Sequence, residues 1–201
     1  MLHEYLAICT PPWPRTDLAV ALGAGCSFVA RAIDSDRTHL AQILTAAAKH
    51  RGTSFVEMYQ NCPIFNDGAF DDYKGPEAAQ YLIRLVDGEP VLVGADGTRG
   101  VVRDPVNGEL TVADVAEVGM DHILVHDSHR TDPSLAFELA HLDDGNLITQ
   151  TPIGILRNIE CPTYDDQART QVQLAAGDTT DQDSRDVVLA TLLTGNGTWQ
   201  V

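Results

Sequence analysis

Between Ser27 and Tyr59 the sequence reads strand, helix, strand with short joints, and that run leaves few folds open. Ser27-Phe28-Val29-Ala30-Arg31-Ala32 has the apolar, β-favouring content of a strand. Asp34-Ser35-Asp36 then offers cap residues for a helix, and Leu40, Ile43, Leu44 and Ala47 follow at helical spacing as one apolar stripe. Gly52 marks the stop. Ser54-Phe55-Val56-Glu57-Met58-Tyr59 reads as a second strand, apolar on both faces except at Glu57. The expectation is a βαβ unit with parallel strands and a right-handed crossover, and with it the α/β fold class. In open sheets of this class ligands gather beyond the carboxyl ends of strands. The segment in that position is Gln60-Asn61-Cys62-Pro63-Ile64-Phe65-Asn66-Asp67-Gly68.

The flanks are plainer. Residues 1–16 contain Pro11, Pro12 and Pro14, which exclude a helix there and predict an extended lead-in. Asp17-Leu18-Ala19-Val20-Ala21-Leu22 predicts a short helix that Gly23-Ala24-Gly25 ends; the glycines follow a helix and so do not form a phosphate loop. After Asp72 come four short strand-like runs, Leu82–Leu85, Pro90–Val93, Gly100–Arg103 and Glu109–Val112, which predict a meander. Asp87-Gly88, Asp96-Gly97 and Asn107-Gly108 supply its tight turns. Ile123–Asp127 reads as a strand end. Asp132 and Pro133 start a helix whose apolar face is Leu135, Leu139 and Leu142. Gly154–Ile159 reads as one more strand, Asp178–Asp186 as a solvated acidic tail, and Val187–Leu193 as a last short helix.

The 201 residues carry 29 acidic and 13 basic side chains, a formal charge of −16, which speaks against nucleic acid as a partner. No apolar run is long enough to cross a bilayer, and the N-terminus lacks the pattern of a signal peptide, so no membrane partner and a cytoplasmic location are expected. The four cysteines, Cys9, Cys26, Cys62 and Cys161, form no C-x-x-C pair. Cys62 stands out because a soft thiolate at a strand end suits iron or a cluster; against this, one thiol cannot hold a cluster that needs four, and a lone cysteine is more often a packing residue. His122, His126 and His129, with Asp121 and Asp127 nearby, have the donor types of a metal site but share no regular face, and a polar connecting loop explains them better. There is no G-x-S-x-G elbow, no H-E-x-x-H and no P-loop.

The segments Ala19–Arg31, Asp34-Ser35-Asp36 with His39-Leu40, and Phe55-Val56-Glu57 leading through Tyr59-Gln60-Asn61-Cys62-Pro63-Ile64-Phe65-Asn66-Asp67-Gly68-Ala69-Phe70 resemble the β subunits of 2-oxoacid:ferredoxin oxidoreductases. The likeness continues through His126-Asp127, Thr131-Asp132-Pro133, Thr151–Ile155 and Pro162-Thr163-Tyr164, so it covers nearly everything from about Asp17 to Tyr164; it looks closest to the 2-oxoglutarate type. The resemblance implies that 17–72 is the C-terminal, βαβ portion of a thiamine diphosphate-binding α/β domain, after a lead-in at 1–16, and that 73–201 is a β-rich C-terminal domain with an acidic tail. It implies oxidative decarboxylation of a 2-oxoacid on thiamine diphosphate held by Mg²⁺. Electrons would pass through a 4Fe-4S cluster to ferredoxin and the acyl group to coenzyme A, in a complex with an α subunit. Cys62 matches the position of the fourth cluster ligand. The family's C-x-x-C pair, its third cysteine and its G-D-G segment for Mg²⁺ and diphosphate are absent, and Cys9 cannot replace three ligands. The expectation is therefore a fragment that alone binds no thiamine diphosphate and is inactive, with no catalytic residue assigned. The alternative is a truncated, non-catalytic module that packs on the α subunit without cofactor.

Overall fold

The computed structural model describes residues 17–64, 67–68, 70–142, 150–176 and 182–195. The expected lead-in at 1–16 lies outside them, as do Cys9, Phe65, Asn66 and Ala69. Contacts divide the chain into two compact units, Met1–Cys161 and Pro162–Val201.

Among the described residues the first unit begins with helix α1 (Asp17–Gly23), strand β1 (Phe28–Ile33), helix α2 (Arg37–Lys49) and strand β2 (Ser54–Tyr59). The strands run parallel, Phe28 opposite Ser54 and Ile33 opposite Tyr59, so the expected βαβ unit is present. Asp36 starts α2 by accepting the His39 N–H at 3.0 Å. The apolar stripe of α2 is narrower than its spacing suggests, because Ile43 is buried while Leu44 is half exposed. All six residues of β1 are buried, since α2 covers one face and α1 the other.

Strand β3 (Leu82–Leu85) does not belong to the meander. It pairs in parallel with β7 (Thr151–Asn158), which runs antiparallel to β1 and completes a four-stranded sheet in the order β2-β1-β7-β3. The sheet thus joins segments on both sides of residue 72. The meander proper is β4 (Leu92–Val93), β5 (Arg99–Arg103) and β6 (Leu110–Asp114), all antiparallel. Its turn glycines Gly88, Gly97 and Gly108 all take positive φ, as their dipeptides predict. Ile123–Asp127 is not a continuous strand. Leu124 donates its N–H to the Val101 carbonyl and accepts from Val91, and His126 donates to the Glu89 carbonyl and accepts from Gly88, so the segment makes isolated bridges to two neighbours. After a single turn α3 (Val115–Val118), helix α4 (Ser134–Ala140) begins one residue later than Asp132-Pro133 suggests; Asp132 still accepts the Ser134 N–H. Leu135 and Leu139 are buried in a core that also holds Leu18, Val29, Ile83, Val93 and Leu156, so one core serves both sheets.

The described residues of the second unit form two helices, α5 (Tyr164–Ala176) and α6 (Gln182–Thr194). The solvated tail expected over 178–186 is corrected in its last part, because Gln182–Asp186 is helical; residues 177–181 lie outside the described set. Helix α5 was not foreseen. Thr163 accepts the Asp166 N–H at 3.2 Å, and Asp165 and Asp166 stand in the first turn, where acidic groups complement the helix dipole. Among the described residues no helix is long and apolar enough to cross a membrane.

Candidate functional site

The carboxyl ends of β1 and β2 lie side by side, with the Asp34 N–H donating to the Tyr59 carbonyl at 3.0 Å. The chain then enters the cysteine segment, which Asn61 closes. Its Nδ2 donates to Asp67 Oδ1 at 3.0 Å, and its Oδ1 accepts the Gly68 N–H at 2.8 Å. Cys62 sits half-buried inside this closure. Tyr59, at the end of β2, stacks with Phe70 and Tyr73, the ring centroids 4.9 to 6.2 Å apart, and the Tyr73 hydroxyl hydrogen-bonds Thr151 Oγ1 at the start of β7. Two polar atoms near this end of the sheet, Asp34 Oδ1 and His39 Nδ1, are buried without a hydrogen-bond partner among the described residues. Arg84 pairs with Asp36 at 2.7 Å at the rim.

The described residues do not make a cluster site by themselves. Cys26 lies at the amino end of β1, with its thiol 3.3 Å from the Phe28 carbonyl and 3.2 Å from that of Thr53. Burial pushes its pKa up, which keeps it a thiol. Cys161 is exposed, and its N–H reaches the Arg51 carbonyl at that same end. A strand of about 3.3 Å per residue separates both from Cys62. Among the described residues no group of three or more His, Cys, Asp or Glu side chains is placed to hold a metal ion.

The histidines of the connecting loop do not converge either. His126 is buried, and its Nε2–H donates to the Ile155 carbonyl at 2.7 Å. His129 donates from Nδ1 to the Asn158 carbonyl at 2.6 Å. Both fasten the loop to β7, which is a structural role, while His122 is exposed. Burial is the main cause that pushes the pKa of His126, and likewise that of His39, below the ordinary value. The unfolded chain takes up these protons below about pH 6.5, while the fold resists them, so their contribution to stability is full above that pH and lost as acid is added. The urea midpoint is expected to fall between about pH 7 and pH 5. His126→Gln, which keeps a donor for Ile155, is expected to flatten that slope; an unchanged slope in the variant would remove His126 as its source.

Sequence reasoning missed two further features. Arg31 is fully buried in β1 and pairs with Glu57 of β2 at 2.6 Å. His50, at the end of α2, bridges Ser27 Oγ at 2.9 Å and Asn158 Oδ1 at 3.1 Å. Arginine inside an apolar strand opposite the one acidic residue of the next strand was the available signal for the first; the second had none.

The chain thus combines an α/β sheet with a cysteine loop closed by Asn61 beyond a parallel pair of strands. No protein-family model matches the chain. It is 45% identical over 188 residues to the 2-oxoglutarate oxidoreductase subunit KorB of Mycobacterium tuberculosis, covering 94% of this chain and 49% of that protein. A 2-oxoacid:ferredoxin oxidoreductase subunit beta from a Sulfolobus species is 26% identical over 103 residues, 51% of this chain and 33% of that protein. The fold is similar to a chain of 2-oxoglutarate:ferredoxin oxidoreductase from Magnetococcus marinus, solved with 2-oxoglutarate, coenzyme A and succinyl-CoA bound. The TM-score is 0.53 at 19% identity, over 90% of this chain and 46% of that one. By sequence, then, the chain is a relative of the β subunits of 2-oxoacid:ferredoxin oxidoreductases. It spans about half the length of KorB.

Proposed function

We propose that the chain forms part of the β subunit of a 2-oxoacid:ferredoxin oxidoreductase. In that reading the assembled enzyme converts a 2-oxoacid, 2-oxoglutarate by analogy with KorB, to an acyl-CoA and passes electrons through a 4Fe-4S cluster to ferredoxin. The similarity to KorB along 94% of the chain carries the reading. The geometry adds support: Cys62 occupies a closed loop at the carboxyl edge of a parallel pair, and Asp34 and His39 hold buried polar atoms there that a covering polypeptide would satisfy.

Cys62 is proposed as one ligand of the cluster, with the other thiolates and the thiamine diphosphate and Mg²⁺ site supplied by polypeptide beyond the described residues. The test is anaerobic assembly of the chain with the α subunit and a polypeptide carrying the missing cysteines and the G-D-G segment, followed by loading with iron and sulfide. Wild type is expected to hold about four irons per cluster, and Cys62→Ser to lose most of the iron, acid-labile sulfide and reduced-cluster EPR signal. Cys26→Ser, at the other end of β1, is expected to keep them. Equal iron content in Cys62→Ser and wild type would defeat the assignment.

One observation favours the second reading, a cofactor-free module that packs on the α subunit. Helices α5 and α6 expose Val172, Leu174, Val187, Leu189, Leu192 and Leu193. That reading predicts co-elution with the α subunit on gel filtration and no 2-oxoacid-dependent electron transfer in any assembly.

A further inference from the structure

Strand β2 lies at an edge of the four-stranded sheet, paired with β1 on one side and with no strand on the other among the described residues. Which of its backbone groups face the open side follows from the ladder. The Phe28 N–H donates to the Thr53 carbonyl, and the Asp34 N–H to the Tyr59 carbonyl. The N–H and C=O of one residue point to the same side of a strand, and the side alternates along it, so 53, 55, 57 and 59 face β1. Ser54, Val56 and Met58 therefore turn both backbone groups outward, and no hydrogen bond among the described residues takes them up.

This edge lacks the devices that keep a terminal strand from pairing further. Residues 54–59 include no Lys, Arg or Pro. Their register with β1 runs unbroken from Ser54 to Tyr59, so no bulge bends the strand away. Its one charged side chain, Glu57, is held by Arg31 of β1. The opposite edge strand, β3, instead carries the exposed Arg84. Both faces of β2 are covered as well. Phe55 packs on the core of Leu18 and Val29, and Val56 on that of Phe28 and Ile43. Cover on both faces is the setting of parallel strands.

We propose that the open edge of β2 is a seam where a further parallel strand joins the sheet, supplied by the part of the β subunit that this chain does not match; this rests on the β-subunit reading above. The chain matches KorB over 94% of its own length but 49% of that protein's, and it covers 46% of the Magnetococcus marinus chain. Such relatives carry as much polypeptide again, from which the strand can come. A parallel strand ends where β2 ends, so the loop after it would lie beside the Cys62 segment. A second copy related by a two-fold axis would pair antiparallel and set two Cys62 segments at opposite ends of the seam.

The test is amide hydrogen exchange of the full 201-residue chain, alone and in the anaerobic assembly with the α subunit and the portion of KorB that this chain does not match. The Ser54, Val56 and Met58 amides are expected to exchange about a hundredfold more slowly in the assembly. Val56→Pro removes only an outward N–H; it is expected to keep the far-UV spectrum of the chain and weaken assembly by about tenfold. Met58→Lys, at an exposed side chain, adds the charge this edge lacks and is expected to do the same. Slow exchange of these amides in the chain alone would overturn the proposal, pointing to a second copy if it depends on concentration and to another segment of the same chain if it does not. Unchanged assembly in both variants, or no association at all, would overturn it too. An assembly that holds iron while these amides exchange as before would overturn the seam and leave the β-subunit reading standing. Protection without iron would uphold the seam and count against the cluster.

Discussion

Glu57→Ala is expected to cost the fold about 3–5 kcal/mol, a large part of the stability of an ordinary domain. The reason lies in Arg31. Its side chain is 0% exposed, and the Glu57 carboxylate, 11% exposed, receives its Nε–H at 2.6 Å. The guanidinium also lies 5.1 Å from the Tyr59 ring centroid and reaches the Pro152 carbonyl at 3.4 Å, so it is packed from three sides. Removing the carboxylate leaves a desolvated cation that cannot lose its proton, since arginine stays charged at any working pH. The pair itself is a different matter. Two buried charges recover little more by attraction than they lose in hydration, so Arg31→Met combined with Glu57→Leu is expected to fall close to wild type in urea unfolding. The expected pattern is one damaging single variant and a mild double variant. Equal losses in the two would show that packing volume, not an orphaned charge, sets the cost. A loss below about 1 kcal/mol in Glu57→Ala would mean that water reaches Arg31.

The same pair shows what sequence reading reaches and where it stops. The βαβ unit was legible because its signals are local: an apolar run at 54–59 broken only by Glu57, a cap at Asp36, helical spacing to Ile43, and a glycine after the helix. The turns at Gly88, Gly97 and Gly108 were legible for the same reason. The place of β7 was not. It inserts between β1 and β3 through pairings such as Ala30 with Ile155, and no local pattern encodes a partner so remote. Pro152 argues against a central strand, because proline cannot donate to a ladder. It is tolerated because the β1 ladder ends at Gly154, and on the other side Pro152 meets only the parallel partner Ile83. Helix α5 was hidden by acidic residues that look like a solvated tail, although Thr163 and Asp166 carried a capping signal. In the candidate site Cys62 was visible from the motif around it. The Ser27–His50–Asn158 bridge was not, since its members lie 23 and 108 residues apart and each alone is an ordinary polar side chain.

Gly154→Ala is expected to be about as damaging as the loss of Glu57, by a mechanism that involves no charge. Gly154 sits opposite Arg31 on one side and Leu85 on the other, where β7 touches both neighbours. Its φ of +126° is one that a residue with a side chain rarely adopts, which alone costs on the order of 1–3 kcal/mol. A methyl group there would also lie 2.7 Å from the Leu85 carbonyl oxygen and 3.1 Å from its Cβ. Backbone cannot swing aside as a flexible side chain does, so β3 must separate from β7 and disturb Ile83 and Leu85 in the shared core. The sum is about 3–5 kcal/mol. Gly108→Ala is the internal control: φ is +79° and nothing lies within 4 Å of the added carbon, so only about 1 kcal/mol is expected. The difference between the two urea midpoints measures the close approach of β3 to β7, and equal midpoints would refute it. The variant also bears on both ends of the sheet. β7 carries Thr151 at its start and Asn158 at its end, so a displaced β7 is expected to disturb the Tyr73–Thr151 contact and the His50 bridge together.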